Sequence, residues 1–128
     1  MAKITLNYSP NFSTKRRISK NIKYLVIHYT GMKDEKKAIH RLTDKKSKVS
    51  CHYFIKINGE IILLVPESYI AWHAGVSSWK NKKSLNKYSI GIEIHNKGHD
   101  HGYSKFTEAQ INSTIVLCKK LIKNFKTI

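Results

Sequence analysis

The sequence predicts a single α/β domain, because strand-like and helix-like segments alternate along a chain whose length suits one domain. The 128 residues can enclose one hydrophobic core but not two. Hydrophobic residues make up 41% of the chain and charged residues 25%, which is typical of a folded protein rather than a disordered one. Any functional site is therefore expected to lie on this one domain.

The first 21 residues are polar and basic and contain Pro10, so we expect an N-terminal basic arm, 1–21, ahead of a domain formed by 22–128. The domain opens with YLVIHYT, 24–30, whose apolar, β-branched and aromatic residues predict a buried strand. This strand contains His28. A buried imidazole needs a hydrogen-bond partner or a metal ion, so His28 is either a core histidine bonded to a carbonyl or part of a site.

A helix and a hairpin are predicted next. Asp34 and Glu35 suit the start of a helix that buries Ala38, Ile39 and Leu42. The runs CHYFIKI and EIILLV then flank the dipeptide Asn-Gly, which favours a β-hairpin closed by a two-residue turn.

The segment from Glu67 to Lys87 lacks a regular pattern and predicts a long loop. Loops of this length in a compact domain are usually functional or disordered, and Trp72 and Trp79 favour an ordered, functional loop because indole rings are normally buried. His73 lies in this loop.

The next strand, YSIGIEIHN, alternates between two faces. Its isoleucines share one face, and the other face carries Ser89, Gly91, Glu93 and His95, so this polar face is a candidate wall of a site. A capping box at Thr107–Gln110 then begins the last helix. The apolar stripe predicted for that helix consists of Ile111, Ile115, Cys118, Ile122 and Phe125.

The net charge of +16 would draw the chain toward polyanions. Only three of the 24 basic residues are arginine, and bidentate phosphate and base recognition favour arginine, so the charge does not indicate a sequence-specific nucleic-acid site. A basic nucleic-acid-binding module is a remote alternative. The two cysteines cannot form a disulfide framework and are expected to be buried thiols. The sequence shows no membrane segment or signal peptide, and we expect a cytoplasmic protein.

Three features together are the components of a zinc hydrolase: a strand histidine, a strand carboxylate and a histidine-bearing loop. Glu93 is the candidate base, since burial would raise its pKa toward neutrality. The alternative is a glutamate of an edge strand in solvent. The tract HNKGHDH is a competing candidate for the metal site, through its residues His95, His99, Asp100 and His101. Its composition equally describes a solvated loop.

Four segments carry a family resemblance: YLVIHYTG, VSCHYFIKINGEIILLVPESYIAWHAGVS, KYSIGIEIHNKGHDHGY and FTEAQI. In this order they resemble the zinc-dependent N-acetylmuramoyl-L-alanine amidases of the type 2 amidase family, over roughly residues 22 to 125. The more distant peptidoglycan recognition proteins share the likeness. The resemblance implies a central mixed β-sheet flanked by helices, and an amidase that acts on peptidoglycan fragments or muropeptides with Zn²⁺ as cofactor.

The same resemblance assigns roles to individual residues. It implies that His28 is a zinc ligand, that Glu93 is the catalytic acid and base, and that His73, Trp72 and Asn96 contact the substrate. The position of His52 matches a histidine that the family keeps on the hairpin, and its role, structural or functional, stays open.

The chain departs from the family pattern after the last helix, where it ends at NFKTI. The family continues into a further strand and loop with two more zinc ligands, so we expect a fold that lacks these parts and an incomplete zinc site. One edge of the sheet and part of the last helix should then be exposed. The expected consequences are weak zinc binding and either completion by a second polypeptide or a catalytically inactive chain that only binds muropeptide. We also expect the strands of His28 and Glu93 to lie near each other with both side chains on one face.

Overall fold

The computed structural model describes residues 3–75, 78–79, 82–102 and 104–128. Five strands form the central sheet: β1 Ile4–Leu6, β3 Tyr24–Tyr29, β4 Tyr53–Ile55, β5 Ile61–Leu63 and β9 Ser89–Ile94. Their order across the sheet is β1, β5, β4, β9, β3. Only β4 and β5 run antiparallel, and the other three pairings are parallel. The predicted mixed sheet is confirmed.

Two helices cover the sheet, α1 Glu35–Thr43 and α2 Glu108–Asn124. On one side Ala38 and Leu42 of α1 pack with Phe54 and neighbouring residues, and on the other side Leu117 and Leu121 of α2 pack on the isoleucines of β9. The remaining elements are short: strands β2 Phe12–Ser13, β6 Ile70–Ala71, β7 Ser78–Trp79 and β8 Lys82–Lys83, and 3-10 turns at Ser19–Asn21, Lys45–Ser47, Leu85–Tyr88 and His99–His101. The sheet between two helical layers agrees with the predicted fold class.

The strand that carries His28 lies at an edge of the sheet. In the described part of the chain β3 pairs with β9 alone, and Ile27 and Tyr29 are 52% and 49% exposed. The prediction of a buried strand is therefore wrong, because apolar composition does not tell an edge strand from an inner one. The exposed edge agrees with the expectation that one side of the sheet faces water.

Residues 3–21, the described part of the predicted arm, pair and bond with later segments of the chain. Strand β1 pairs in parallel with β5 as the opposite edge of the sheet. Asn11 is buried and its amide donates to the carbonyls of Asp44 and Val49. Arg17 donates to the backbone carbonyls of Glu67 and Asn86. The segment predicted as an arm thus contributes strands β1 and β2 and two internal anchors, Asn11 and Arg17.

The hairpin between β4 and β5 is confirmed, but its loop has three residues rather than two. The amide of Gly59 donates to Lys56 O, and Lys56 N donates to Glu60 O, which leaves Ile57, Asn58 and Gly59 as the loop. Gly59 has a φ of +88°, and a Cβ there would lie 2.9 Å from the carbonyl oxygen of Ala109. The turn therefore combines a left-handed residue with close packing of α2.

The last helix begins at the predicted capping box, with Thr107 Oγ1 accepting from Gln110 N and Gln110 Oε1 accepting from Thr107 N. Its buried face, however, is Gln110, Ser113, Leu117 and Leu121. The predicted apolar stripe is wrong: Ile111, Ile115 and Ile122 are about half exposed, whereas Cys118 and Phe125 are partly buried. Two polar residues occupy the buried face because each bonds to a backbone carbonyl, Gln110 to His95 O and Ser113 to Gly59 O.

The cysteines are free thiols, with Cys51 buried as predicted and Cys118 only half-buried. In the described ranges no helix combines the length and apolar character needed to cross a membrane.

Candidate active site

His28 and Glu93 lie opposite each other on neighbouring strands. Strands β3 and β9 run parallel with His28 in register with Glu93, and Glu93 is also in register with Phe54 of β4. Residues in register on adjacent strands point to the same face of a sheet, so the imidazole and the carboxylate share the face covered by α1. The predicted juxtaposition of the two side chains is confirmed.

Glu93 is mostly buried within an inner strand, which excludes the alternative of an edge-strand glutamate in solvent. Its carboxylate borders a cavity of about 170 Å³. Burial raises the pKa of Glu93 to about 7, and the positive charge of Arg41 across the cavity opposes this rise. A carboxyl group that titrates near neutral pH can both accept and return a proton, which is the requirement for general acid–base catalysis.

The loop residues Trp72 and His73 form another wall of the same cavity. Trp72 is held through its backbone by reciprocal bonds with Ser50 and through its indole N–H by Ser13 Oγ at 3.1 Å. The amides of His73 and Ala74 both donate to Asn86 Oδ1, at 3.1 and 2.9 Å. This part of the predicted functional loop is therefore fixed to Ser50, to the 3-10 turn Leu85–Tyr88 and to the N-terminal segment. The side chain of Trp79 lies outside the described residues.

His73 also contacts His28, with 2.9 Å between His73 Nδ1 and His28 Nε2. The other ring nitrogen of His73 lies 3.0 Å from Ser89 Oγ. Burial, together with the nearby His52, His28 and Arg17, lowers the pKa of His73 to about 2, and burial also lowers the pKa of His28. Burial thus favours the neutral form of both rings.

The ring of His73 lies directly against the backbone of Gly91. A Cβ at position 91 would be 2.3 Å from His73 Cγ, a distance that no side chain could tolerate. The glycine between Ile90 and Ile92 is therefore the residue that gives His73 its place beside His28.

His52 is fully buried, and its ring bonds to two backbone groups and lies 3.2 Å, through Nε2, from Arg17 Nη2. Its Nε2 donates to Tyr69 O at 2.8 Å, and its Nδ1 accepts from Gly91 N at 3.0 Å. Burial, with a further contribution from the charge of Arg17, lowers the pKa of His52 to about 3. The structural interpretation of His52 is the one that the geometry supports.

Asn96 is not brought to this cavity. Its side chain donates to Ser104 O and accepts from Gly98 N, so both ends are used within the turn that follows β9. Its predicted contact with substrate stays a prediction. His95 of the same tract is buried beside Phe54, where its Nδ1 lies 3.0 Å from Thr30 Oγ1.

Sequence reasoning missed three residues of the site: Arg41, Asn86 and Ser89 as a partner of His73. Ser89 could have been found, because it shares the alternating face of Gly91 and Glu93. Arg41 and Asn86 come from a helix and a loop whose approach to the cavity no local pattern indicates.

The fold and this site define the class of protein. Residues 18–128 match the family described as N-acetylmuramoyl-L-alanine amidase, and the chain belongs to this family. The expected resemblance is thereby confirmed.

Particular relatives agree with the family assignment. The chain is 41% identical over 116 residues to the N-acetylmuramoyl-L-alanine amidase AmiD of Escherichia coli, covering 81% of this chain and 41% of the relative. It is 31% identical over 137 aligned positions to the 1,6-anhydro-N-acetylmuramyl-L-alanine amidase AmpD of Haemophilus influenzae, covering 94% of this chain and 72% of that protein. The chain spans about two fifths of the length of the first curated relatives that it matches.

Solved structures show the same architecture. A selenomethionine derivative of AmpD superimposes with a TM-score of 0.82 at 29% identity, covering all of this chain and 78% of that one. AmiD from E. coli, in complex with anhydro-N-acetylmuramic acid-L-Ala-D-gamma-Glu-L-Lys, gives a TM-score of 0.72 at 40% identity, covering 84% and 46% of the two chains.

Zinc is the metal that the family resemblance implies, and the side chains of the site can be compared with the ligands that zinc needs. His28 fits one ligand position, because burial favours its neutral form and no described residue bonds to its Nδ1. A catalytic zinc needs three protein ligands, and the described ranges contain no cluster of three His, Cys, Asp or Glu residues arranged to hold a metal. These residues therefore offer a single ligand and do not form the site by themselves.

Proposed function

We propose that this chain acts as an N-acetylmuramoyl-L-alanine amidase, which hydrolyses the amide between the lactyl group of N-acetylmuramic acid and L-alanine. The observation that carries the proposal is the pairing of His28 with Glu93 across adjacent strands, with Glu93 on the cavity wall, in a chain that belongs to the amidase family. Zinc, when bound, would polarise the scissile carbonyl and make water more acidic, and His28 is the ligand that this chain offers.

Glu93 performs the proton transfers in the proposed reaction. Its carboxylate takes a proton from the water that attacks the amide carbon, and the protonated group returns that proton to the nitrogen of L-alanine as the C–N bond breaks. The products are a muramyl carboxylic acid and a free stem peptide. A pKa of about 7 suits this exchange, since neither the charged nor the neutral form is strongly favoured at neutral pH.

Muropeptides are the proposed substrate class. Two of the structures similar to this chain hold anhydromuramyl peptides: AmiD with a tripeptide and AmpDh3 from Pseudomonas aeruginosa with anhydromuramic pentapeptide. Trp72 provides an apolar wall for the substrate, and the guanidinium of Arg41 provides the positive charge of the cavity. His73 borders the cavity as well, so its contact with substrate is kept as part of the proposal.

A second candidate function is muropeptide binding without turnover. The single zinc ligand among the described residues favours it, because a metal held by one imidazole would be bound weakly. A second polypeptide that supplies further ligands finds no support among the relatives. A cytoplasmic location and the absence of sequence-specific nucleic-acid binding stay predictions from the sequence.

The test is incubation of the purified chain with anhydromuramyl-L-Ala-D-Glu-L-Lys, with and without added Zn²⁺, followed by mass spectrometry of the released peptide. We expect release by the wild type only with Zn²⁺ added in excess, because a single imidazole holds the metal weakly, and we expect loss of this release in Glu93→Gln and His28→Ala. His40→Ala is the matched control, since His40 is an exposed histidine of α1. Binding of the same ligand without release would select the binding function, and neither binding nor release would reject both.

A further inference from the structure

The histidines of the site belong to a chain of hydrogen bonds whose direction is fixed at one end. Ser89 Oγ lies 2.6 Å from Leu85 O, and a carbonyl oxygen can only accept, so the hydroxyl donates its single hydrogen there. The 3.0 Å contact between Ser89 Oγ and His73 Nε2 must then be a bond in which the ring N–H donates to the hydroxyl oxygen. His73 therefore carries a hydrogen on Nε2.

The direction of the bond from His73 to Ser89 also determines which nitrogen of His28 carries the hydrogen. A neutral imidazole has one N–H and one lone pair, so the lone pair of His73 is on Nδ1. At about pH 8 both rings are neutral, as unperturbed imidazoles are. Because His73 Nδ1 lies 2.9 Å from His28 Nε2, the hydrogen of this contact belongs to His28. The Nδ1 of His28 is then the bare nitrogen.

We propose that His73 and Ser89 are positioning residues that hold His28 as the tautomer with hydrogen on Nε2 and leave its Nδ1 lone pair open to the site. Imidazole ligands of metals are commonly fixed through the nitrogen that does not bind the metal. The identity of the partner of Nδ1 as Zn²⁺ rests on the proposed function, whereas the tautomer of His28 does not.

Packing and hydrogen bonds fix the position of His73 beside His28. Gly91 leaves room for the ring, since any Cβ there would overlap it, and Asn86 fixes the backbone of His73 and of the next residue. Ser89 and Gly91 are on the same face of β9 as Glu93. One strand thus provides the acceptor for His73, the space for its ring and the proposed proton carrier.

The test is a two-bond proton–nitrogen NMR correlation of the histidine side chains in the ¹⁵N-labelled chain, recorded with a chelator at about pH 8, where unperturbed imidazoles are neutral. We expect both His28 and His73 as pure Nε2–H tautomers, with slowly exchanging Nε2–H protons. Hydrogen on Nδ1 of His28, or a mixture of its tautomers, would overturn the proposal without any variant.

Variants test the contribution of each positioning residue. Ser89→Ala should cause loss of the slowly exchanging His73 Nε2–H signal and mix the tautomers of His28. Ser113→Ala is the matched control, because Ser113 also buries a hydroxyl that donates to a carbonyl at 2.6 Å, on the opposite side of the sheet. A Ser89→Ala spectrum with both histidine tautomers unchanged would contradict the role of Ser89.

His73→Ala should cause loss of the His28 Nε2–H signal, and His73→Asn should restore it, since the amide oxygen of asparagine can replace Nδ1 as acceptor. Retention of the signal in His73→Ala would contradict the role of His73. These outcomes are independent of hydrolysis: pure tautomers without peptide release would reject the proposed function alone, and peptide release with mixed tautomers would reject this inference alone.

Discussion

Strand β9 contributes Ile90, Ile92 and Ile94 to the face beneath α2, and Ser89, Gly91 and Glu93 to the face beneath α1. The first face is a continuous apolar core. The second face holds a cavity, a carboxyl group with a raised pKa and a glycine overlaid by an imidazole. One face of this strand thus contributes to the stabilising core and the other to the candidate active site. Substitutions on the first face should change the free energy of unfolding, and substitutions on the second should change the reaction rate.

The largest expected effect is on catalysis. Glu93→Gln should lower the rate of peptide release by roughly 10²- to 10⁴-fold, the usual contribution of a general acid and base. Because the amide has nearly the shape of the carboxyl group, the free energy of unfolding should not fall. Rates are measured with the muropeptide and unfolding with urea. A variant that keeps the wild-type rate would remove Glu93 from the mechanism.

The opposite face should show the reverse behaviour. Leu121 is fully buried beneath the sheet, so Leu121→Ala should lower the free energy of unfolding by about 2–5 kcal/mol and leave the rate per folded molecule unchanged. Ile122→Ala is the control, because Ile122 is the next residue of α2 and its side chain is 50% exposed. Equal losses in the two variants, measured in urea, would show that the buried face of α2 is assigned wrongly.

The pH dependence of stability sharpens the contrast. The folded-state pKa of Glu93, about 7, lies above 4.5, the ordinary value for a glutamate, so between these values the folded chain binds more protons than the unfolded chain. The Glu93 contribution is present in full at acid pH and is lost as the pH rises through 7, by up to about 3 kcal/mol.

This contribution is measured as the difference in unfolding free energy between wild type and Glu93→Gln. The comparison removes the opposing effect of the buried histidines, whose lowered pKa values are shared by both proteins. A difference that stays constant from pH 4 to pH 8 would mean that the carboxyl group titrates normally.

The smallest effect concerns the start of α2. Thr107→Ala removes the hydroxyl that caps the helix and should cost about 1 kcal/mol of unfolding free energy. Thr107→Ser keeps the hydroxyl and serves as its control. A loss as large as that of Leu121→Ala would indicate that the bond from Thr107 to Ile57 O, which joins the helix to the hairpin, dominates instead.

Local patterns predicted those parts of the fold that depend on local interactions. The alternation of β9 gave the polar face, and the capping box placed the start of α2. The buried face of α2 was missed because Gln110 and Ser113 are buried through bonds to distant carbonyls, which hydrophobicity cannot indicate. The edge position of β3 depends likewise on pairing between distant segments.

The candidate site followed a similar rule. Glu93 was indicated by the strand pattern as well as by family resemblance, whereas the roles of His28 and His73 came from the resemblance. The bond between these histidines was not foreseen, because it depends on the approach of the AWHAG loop to Gly91. The predicted substrate contact of Asn96 came from the resemblance as well, and the structure uses its side chain for bonds to Ser104 O and Gly98 N in the segment after β9.

The most direct test of the account is hydrolysis of the muropeptide in H₂¹⁸O with identification of the labelled product. The account predicts one ¹⁸O in the carboxyl group of the muramyl lactyl moiety, an unlabelled stem peptide that begins with free L-alanine, and loss of both products in Glu93→Gln. Label in the peptide, cleavage at another bond, or the same products from Glu93→Gln would contradict it.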